Sequence, residues 1–387
     1  MFITYIDWEQ HKLGEYLNLI NGRAFKQSEL LDEGKYKVLR VGNFNTNTRW
    51  YYSNLELPDD KYAENGDLLY LWATNFGPEL WKSTKVIFHY HIWKIQFKTD
   101  SLDKKYIFYW LKLDKENLKK DLNGSTMVHI TKENMENRFL DIPLQISEQK
   151  KIGSILNSLN DLINTQEKQL LLYEGIKKYM LQNLFPSDGE SVPAVRIADF
   201  HEDWEQHKLS DLGEIYTGNT PSTNQHDFWS INANGYVWIT PSDIVKLRTN
   251  SSKKHLTERG WKEARTVPAQ SVLITSIASI GKNTINTIPA AFNQQINAIV
   301  PKGNNANFIL ESMNFHSGKF ASLAGKTATA IINKKQFSKF QIYVPSYVEQ
   351  LEVGRLISKL NQTIDFYREK IIMYEKIKKY YLQKLFI

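Results

Sequence analysis

The sequence predicts an α+β chain made of two similar globular units and two long helices. Three observations lead there. Residues 148–185 and 349–386 both carry apolar side chains at the alternating three-and-four spacing of a helix that packs along a partner. The segment Asp7-Trp8-Glu9-Gln10-His11-Lys12-Leu13 returns as Asp203-Trp204-Glu205-Gln206-His207-Lys208-Leu209, so each half opens alike and closes on a long helix. Short apolar runs broken by Gly, Pro and Asn fill the stretch between opening and helix.

In the first rod the seam is Ile152, Leu156, Leu159, Ile163, Leu170, Tyr173, Met180 and Leu184, with Gln166 as a polar gap. In the second it is Val353, Ile357, Leu360, Ile364, Tyr367, Ile371, Tyr374, Tyr381 and Leu385. At 1.5 Å per residue each rod would be roughly 57 Å long, well beyond an ordinary globular helix. Such a rod needs a partner, and the other copy supplies it. Residues 173–185 and 374–386 are near repeats, and Glu148-Gln149 and Glu349-Gln350 stand a few residues after Pro143 and Pro345. Two-fold symmetry, the commonest for paired copies, makes antiparallel packing the expectation, with a globular unit at each end.

The expected boundaries are residues 1–147 for the first unit, 148–185 for its helix, 186–199 for a linker, 200–346 for the second unit and 347–387 for the second helix. In the first unit, residues 36–41, 67–72 and 91–97 read as strands and 104–118 as a helix. His89 and His91 are expected to alternate along one strand and share a face. The segment Pro186-Ser187-Asp188-Gly189, with Pro193, reads as the place for flexibility. In the second unit, residues 215–222 read as a turn, 236–243 as a strand entering a polar corner, 271–277 as a buried strand and 292–299 as a further run. The last aligns with residues 88–95 of the first unit; the framework recurs while the polar residues differ.

With 387 residues, 42% of them hydrophobic, and 20 Tyr, 19 Phe and 10 Trp, each unit has enough to bury a core. The absence of cysteine removes disulfides, thiolate metal sites and a thiol nucleophile, and suits a reducing, cytoplasmic setting. No signal peptide is expected at the start, and no apolar run approaches the roughly 20 residues of a membrane span. The net charge of +7 favours a polyanionic partner, nucleic acid before a membrane surface.

Several tempting motifs fail on their chemistry. Ala324-Gly325-Lys326-Thr327 ends like a phosphate-binding loop, but Phe320 stands where such a loop needs its first glycine. A basic turn against a DNA phosphate is the better reading, with Gly124-Ser125-Thr126 as its counterpart. No Asn-Pro-Pro-aromatic tetrapeptide and no dinucleotide-binding glycine pattern occurs. Pro58-Asp59 with Asp103-Lys104-Lys105 makes a poor nuclease site, and His89 with His91 lacks a third metal ligand nearby. The pairs Lys177-Lys178 and Lys378-Lys379 read as a solvated face, and secondarily as a docking edge.

The two opening motifs, Gly218-Asn219-Thr220-Pro221-Ser222, Trp238-Ile239-Thr240-Pro241-Ser242-Asp243, Phe292-Asn293-Gln294-Gln295 and the paired Glu-Gln-led helices resemble the specificity subunits of type I restriction-modification systems. The first unit matches more loosely, through Asn21-Gly22, Phe25-Lys26 and residues 37–43. The resemblance implies a subunit without catalysis of its own, reading a split double-stranded DNA target through two target-recognition domains. It implies two methyltransferase subunits as partners, carrying S-adenosylmethionine for adenine methylation, and restriction subunits using ATP and Mg where the system has them; the chain itself is expected to hold no cofactor or metal. The rod would then act as a ruler between half-sites about one helical turn, or roughly 34 Å, apart. A stand-alone methyltransferase or nuclease with duplicated DNA-binding units is the alternative.

Base edges are read by side chains that fork or both donate and accept, and phosphates by Lys, Ser and amides. On that chemistry the candidates in the first unit are Lys26, Gln27, Ser28, Arg40, Asn43, Asn45, Arg49, Thr74, Asn75, Lys82, His89 and His91. In the second unit they are Thr217, Asn219, Thr220, Ser222, Thr240, Ser242, Ser276, Ser279, Lys282, Asn293, Gln294, Gln295 and Lys326. The competing reading is that such residues merely cap turns.

Overall fold

The structure, a computed structural model, describes residues 8–44, 47–73, 76–121, 130–197, 200–231, 234–325 and 330–386. The chain forms two compact units, Met1–Glu167 with Glu369–Ile387, and Lys168–Arg368. The division falls inside both long helices, Ile146–Asn183 and Tyr347–Lys384, so each unit holds one globular part and a portion of each helix.

In the first unit, Leu17–Asn21, Ile92–Phe97, Leu68–Leu71 and Gly77–Leu80 form an antiparallel sheet in that order. A second sheet runs Tyr51–Ser53, Tyr36–Leu39, Val86–Phe88, Tyr62–Ala63, with a parallel pairing in its middle. The opening motif makes the strand Trp8–Lys12, which pairs antiparallel with Phe139–Pro143. Helix Lys104–Asp121 begins at Asp103, whose Oδ1 accepts from the amides of Lys105 and Tyr106, both at 3.0 Å. That cap accounts for the acid in Asp103-Lys104-Lys105 without any nuclease chemistry.

The second unit repeats the layout. Its first sheet runs Gly213–Thr217, Ile296–Pro301, Val272–Thr275, Asn283–Asn286, Arg248–Thr249, and its second Trp229–Ser230, Lys254–Leu256, Tyr236–Ile239, Ala290–Phe292, Thr266–Val267. Glu205–Lys208 pairs antiparallel with Gln341–Val344. Trp204 packs into the core against Phe185 and Phe308, and Leu209 is fully buried, which explains why the opening motif sets Trp and Leu around a polar strand.

The helices pair antiparallel within each unit. In the first, Ile152 and Leu156 share a core with Leu385 and Phe386, and Asn160 accepts from Lys378 at 2.7 Å. In the second, Tyr173 stacks on Tyr367 with centroids 5.4 Å apart, while Leu184 shares a core with Val353 and Ile357. Fully burying such aliphatic side chains contributes about 1.5–3 kcal/mol each. Gln166, the polar gap, is buried.

The Glu-Gln pairs gain a role the sequence did not reveal. Gln149 accepts from the Asp103 amide at 2.8 Å and donates to the carbonyls of Ser101 and Pro143, both at 3.0 Å. Gln350 does the same in the second unit, accepting from the Asn305 amide at 2.9 Å and donating to Asn304 Oδ1 at 3.0 Å and the Pro345 carbonyl at 3.1 Å. Four residues on, Gly153 and Gly354 let the helices cross closely: a Cβ would sit 2.8 Å from Lys105 Cβ and 2.9 Å from Asn305 Oδ1 respectively.

Five expectations change. Residues 292–299 are two strands with a turn at 293–295, and residues 215–222 begin as strand, because Ile215, Tyr216 and Thr217 pair with residues 297–299. His89 and His91 flank a tight turn between Val86–Phe88 and Ile92–Phe97, closed by the Ile92 amide on the His89 carbonyl at 2.9 Å. The stretch expected to be flexible, 186–193, is stitched down: Asp188 is ion-paired to Lys319 at 2.6 Å and the Ser191 carbonyl accepts from the Trp204 amide at 2.9 Å, while just beyond it Arg196 makes a two-point ion pair, both contacts 2.9 Å, with the buried Glu349. Lys378 is half-buried over the Tyr109 ring at 5.9 Å, and burial pushes its ammonium below the ordinary lysine range, so it is not part of a solvated face.

Candidate nucleic-acid interface

In each unit the two sheets meet at one corner, and the corner is built from the same backbone bonds. The Gly22 amide donates to Ile92 and the Gly218 amide to Ile296, both at 3.2 Å; Arg23 donates to Phe88 and Asn219 to Phe292, both at 3.0 Å. His89 donates to Leu39 at 2.9 Å and Asn293 to Ile239 at 3.0 Å. Trp72 donates to His91 at 3.2 Å and Ser276 to Gln295 at 2.8 Å. These approaches require a residue without Cβ: one on Gly22 would lie 2.3 Å from the Phe88 carbonyl oxygen, and one on Gly218 2.2 Å from that of Asn293.

On this shared frame the side chains are exchanged almost completely. Where the first unit has Arg23, Arg40, Trp72, His89, Tyr90 and His91, the second has Asn219, Thr240, Ser276, Asn293, Gln294 and Gln295.

The first corner is aromatic and cationic. The rings of His89 and Tyr90 lie 4.5 Å apart, those of Tyr90 and His91 3.8 Å, and those of Trp72 and His91 5.0 Å. Trp72 Nε1 fixes the turn by donating to the Tyr90 carbonyl at 2.8 Å. Burial first, then His91 and Arg40, lowers the His89 pKa to about 4, so its imidazole is neutral near pH 7. Arg40 lies over the Tyr51 ring at 4.8 Å, with Arg49 also 5.0 Å from that ring and ion-paired to Asp32.

The second corner is a network of neutral amides and hydroxyls. Asn293 is buried, accepting from the Gln295 amide and donating to Gln295 Oε1, both at 3.1 Å. Exposed Gln294 accepts from Thr220 at 2.5 Å. Thr217 donates to Asn297 Oδ1 at 2.5 Å, and Asn297 donates to buried Ser276 at 2.7 Å. Asn219 spans the Glu263 carbonyl and the Arg265 amide. Thr240 donates to Asp243 at 2.6 Å and contacts Ser242 at 2.9 Å.

The candidates therefore separate. Thr217, Asn219, Ser276, Asn293 and Asn43 hold the corners: Asn43 accepts from the Arg40 amide and donates to the Arg49 carbonyl, both at 3.0 Å. Gln294, Thr220, Ser222, Ser242, Ser279 and Lys282 are exposed in the second unit, as are Lys26, Gln27, Ser28, Arg49 and Lys82 in the first. Asn45, Thr74, Asn75 and Lys326 lie outside the described residues, as does the Gly124-Ser125-Thr126 loop. The sequence reading missed Arg23, Trp72 and Tyr90, and also Arg265, an exposed cation 5.9 Å from the Tyr216 ring. Among the described residues no group of three His, Cys, Asp or Glu could hold a metal ion, and no helix is long and apolar enough to cross a membrane.

A doubled corner of polar and aromatic side chains at the meeting of two sheets, with antiparallel long helices, defines a class of paired recognition domains. The chain belongs to the family described as type I restriction modification DNA specificity domain, whose model matches residues 5–172 and 201–376. It is 29% identical over 218 residues to the type I restriction enzyme MjaVIII specificity subunit of Methanocaldococcus jannaschii, covering 55% of this chain and 50% of that protein. It is 29% identical over 192 residues to the EcoR124I/EcoR124II specificity subunit of Escherichia coli, covering 46% and 47% respectively. The match thus spans about half the length of these curated relatives. A putative MjaX specificity subunit from M. jannaschii is 22% identical and aligns over 96% of this chain and 91% of its own. The fold is shared with the S subunit of a type I restriction-modification system from M. genitalium, at TM-score 0.68 and 14% identity, covering 100% of this chain and 98% of that one.

Proposed function

We propose that this chain is the non-catalytic DNA-specificity subunit of a type I restriction-modification complex in the cytoplasm, reading a bipartite target with an unread spacer. Each corner reads one half-site. The observation that carries this is one backbone frame built twice with its side chains exchanged, which is what two readers of different sequences require. The family model over both halves and the named specificity subunits among its relatives support the reading. Two methyltransferase subunits dock on the chain and supply S-adenosylmethionine, and flipping the target adenine into their pockets costs a few kcal/mol that binding offsets. Restriction subunits using ATP and Mg join where the system encodes them.

Modified-base sequencing of DNA from cells expressing the chain with its methyltransferase tests this. Two short methylated half-sites separated by a fixed gap are expected. Exchanging residues 1–147 for those of another such subunit should change one half-site only. Changes in both, or methylation by the purified chain alone, would refute the assignment.

A further inference from the structure

Resting on the reading that each corner recognises a half-site, we infer that Arg40 reads a guanine in the half-site of the first unit. Arg40 follows the strand Tyr36–Leu39 and is placed at the corner by its own amide, which donates to Asn43 Oδ1 at 3.0 Å. Its guanidinium lies 4.8 Å from the centre of the Tyr51 ring, which limits the conformations of a long side chain.

The other arginines at this corner are engaged. Arg23 is ion-paired to Glu29 at 2.5 Å and Arg49 to Asp32 at 3.1 Å, whereas among the described residues no carboxylate lies within ion-pair distance of Arg40. Among the described residues, Arg40 is therefore the arginine of this corner without a carboxylate partner. A guanine presents two acceptors, N7 and O6, on its major-groove edge, and a guanidinium meets both at once. The neighbouring His89 is uncharged near neutral pH, so it does not compete as a second cation.

The second unit makes the contrast. Thr240 takes the place of Arg40 on the equivalent strand end, and its hydroxyl is committed to Asp243 at 2.6 Å. The two half-sites should differ in kind at this position, with the forked guanine contact in the first only.

The test is selection from randomised duplexes by the full chain in complex with its methyltransferase subunits. One half-site should carry an invariant guanine in the wild type. Arg40→Ala should lose preference for that guanine by on the order of 10- to 100-fold, leaving the other half-site unchanged as internal proof of folding. Arg40→Lys should retain part of the preference, and Arg40→Gln should shift it toward adenine. Persistence of the guanine in Arg40→Ala, or an equal loss of affinity for all duplexes, would overturn the inference while leaving the broader reading intact. Failure of the wild-type complex to enrich any duplex would overturn both.

Discussion

Replacing Gln350 by alanine tests how the long helices are fastened to the globular parts. Its side chain is almost wholly buried, and its three hydrogen bonds reach the amide that starts helix Ala306–Phe315, the side chain of Asn304 and the carbonyl of Pro345. Truncation leaves the Asn305 N–H and the Pro345 C=O without their partner in a site closed to solvent. At about 1–3 kcal/mol for each orphaned buried group, and allowing for relaxation, the loss should be about 2–4 kcal/mol. Gln149→Ala should cost about as much in the first unit, where three backbone groups lose their partner. Gln350→Glu sharpens the test: it keeps the shape but turns two donations into carboxylate facing two acceptor oxygens, so it should cost more than alanine at neutral pH and recover toward acid. Equilibrium urea unfolding followed by tryptophan fluorescence, with Trp204 in the affected core, reports the change. A cost below about 0.5 kcal/mol for Gln350→Ala, or equal behaviour of the Glu and Ala variants across pH, would refute the reasoning.

Gly218→Ala should break the second corner, since its Cβ would fall 2.2 Å from a backbone oxygen; selection from randomised duplexes should show one half-site lost and the other kept. The pKa of His89 is lowered in the folded state, so the unfolded chain takes up the proton first as pH falls from about 6.5 to about 4, and stability declines across that window. His89→Gln should flatten the decline, measured as the difference in urea midpoint between pH 7 and pH 5; an unchanged slope would mean the ring is not held neutral.

The duplication, the two rods and the α+β class were legible because each is written locally. A helical period is visible in a dozen residues, and a repeat needs only comparison of the chain with itself. The corners were not, because they are made by strand ends distant in sequence: residue 23 bridges to residue 89, whose amide donates to residue 39. Position along the chain says nothing about such meetings. A usable signal nevertheless existed. The alignment of residues 88–95 with 292–299 already sets Tyr90 opposite Gln294, and Gly22-Arg23 against Gly218-Asn219 sets Arg23 opposite Asn219. Choosing by polarity selected inward residues as readily as outward ones: Asn293 and Ser276 are buried and serve the frame, whereas Tyr90, an aromatic passed over, is exposed.

The division of labour at the corners explains how such side chains can be exchanged without loss of fold. Every bond that the two frames share runs from backbone to backbone, from Gly22 and Gly218 through to Trp72 and Ser276. An outward side chain relieved of satisfying buried amides contributes little to the stability of the frame, so replacing Tyr90 by Gln leaves the frame's own hydrogen bonds in place. The two glycines are the exception, because the frame closes only where Cβ is missing, and both halves keep them. Specificity can therefore drift at the outward positions, such as 40, 90 and 294, while Gly22 and Gly218 stay fixed by sterics and Asn219, Ser276 and Asn293 by the bonds their side chains make.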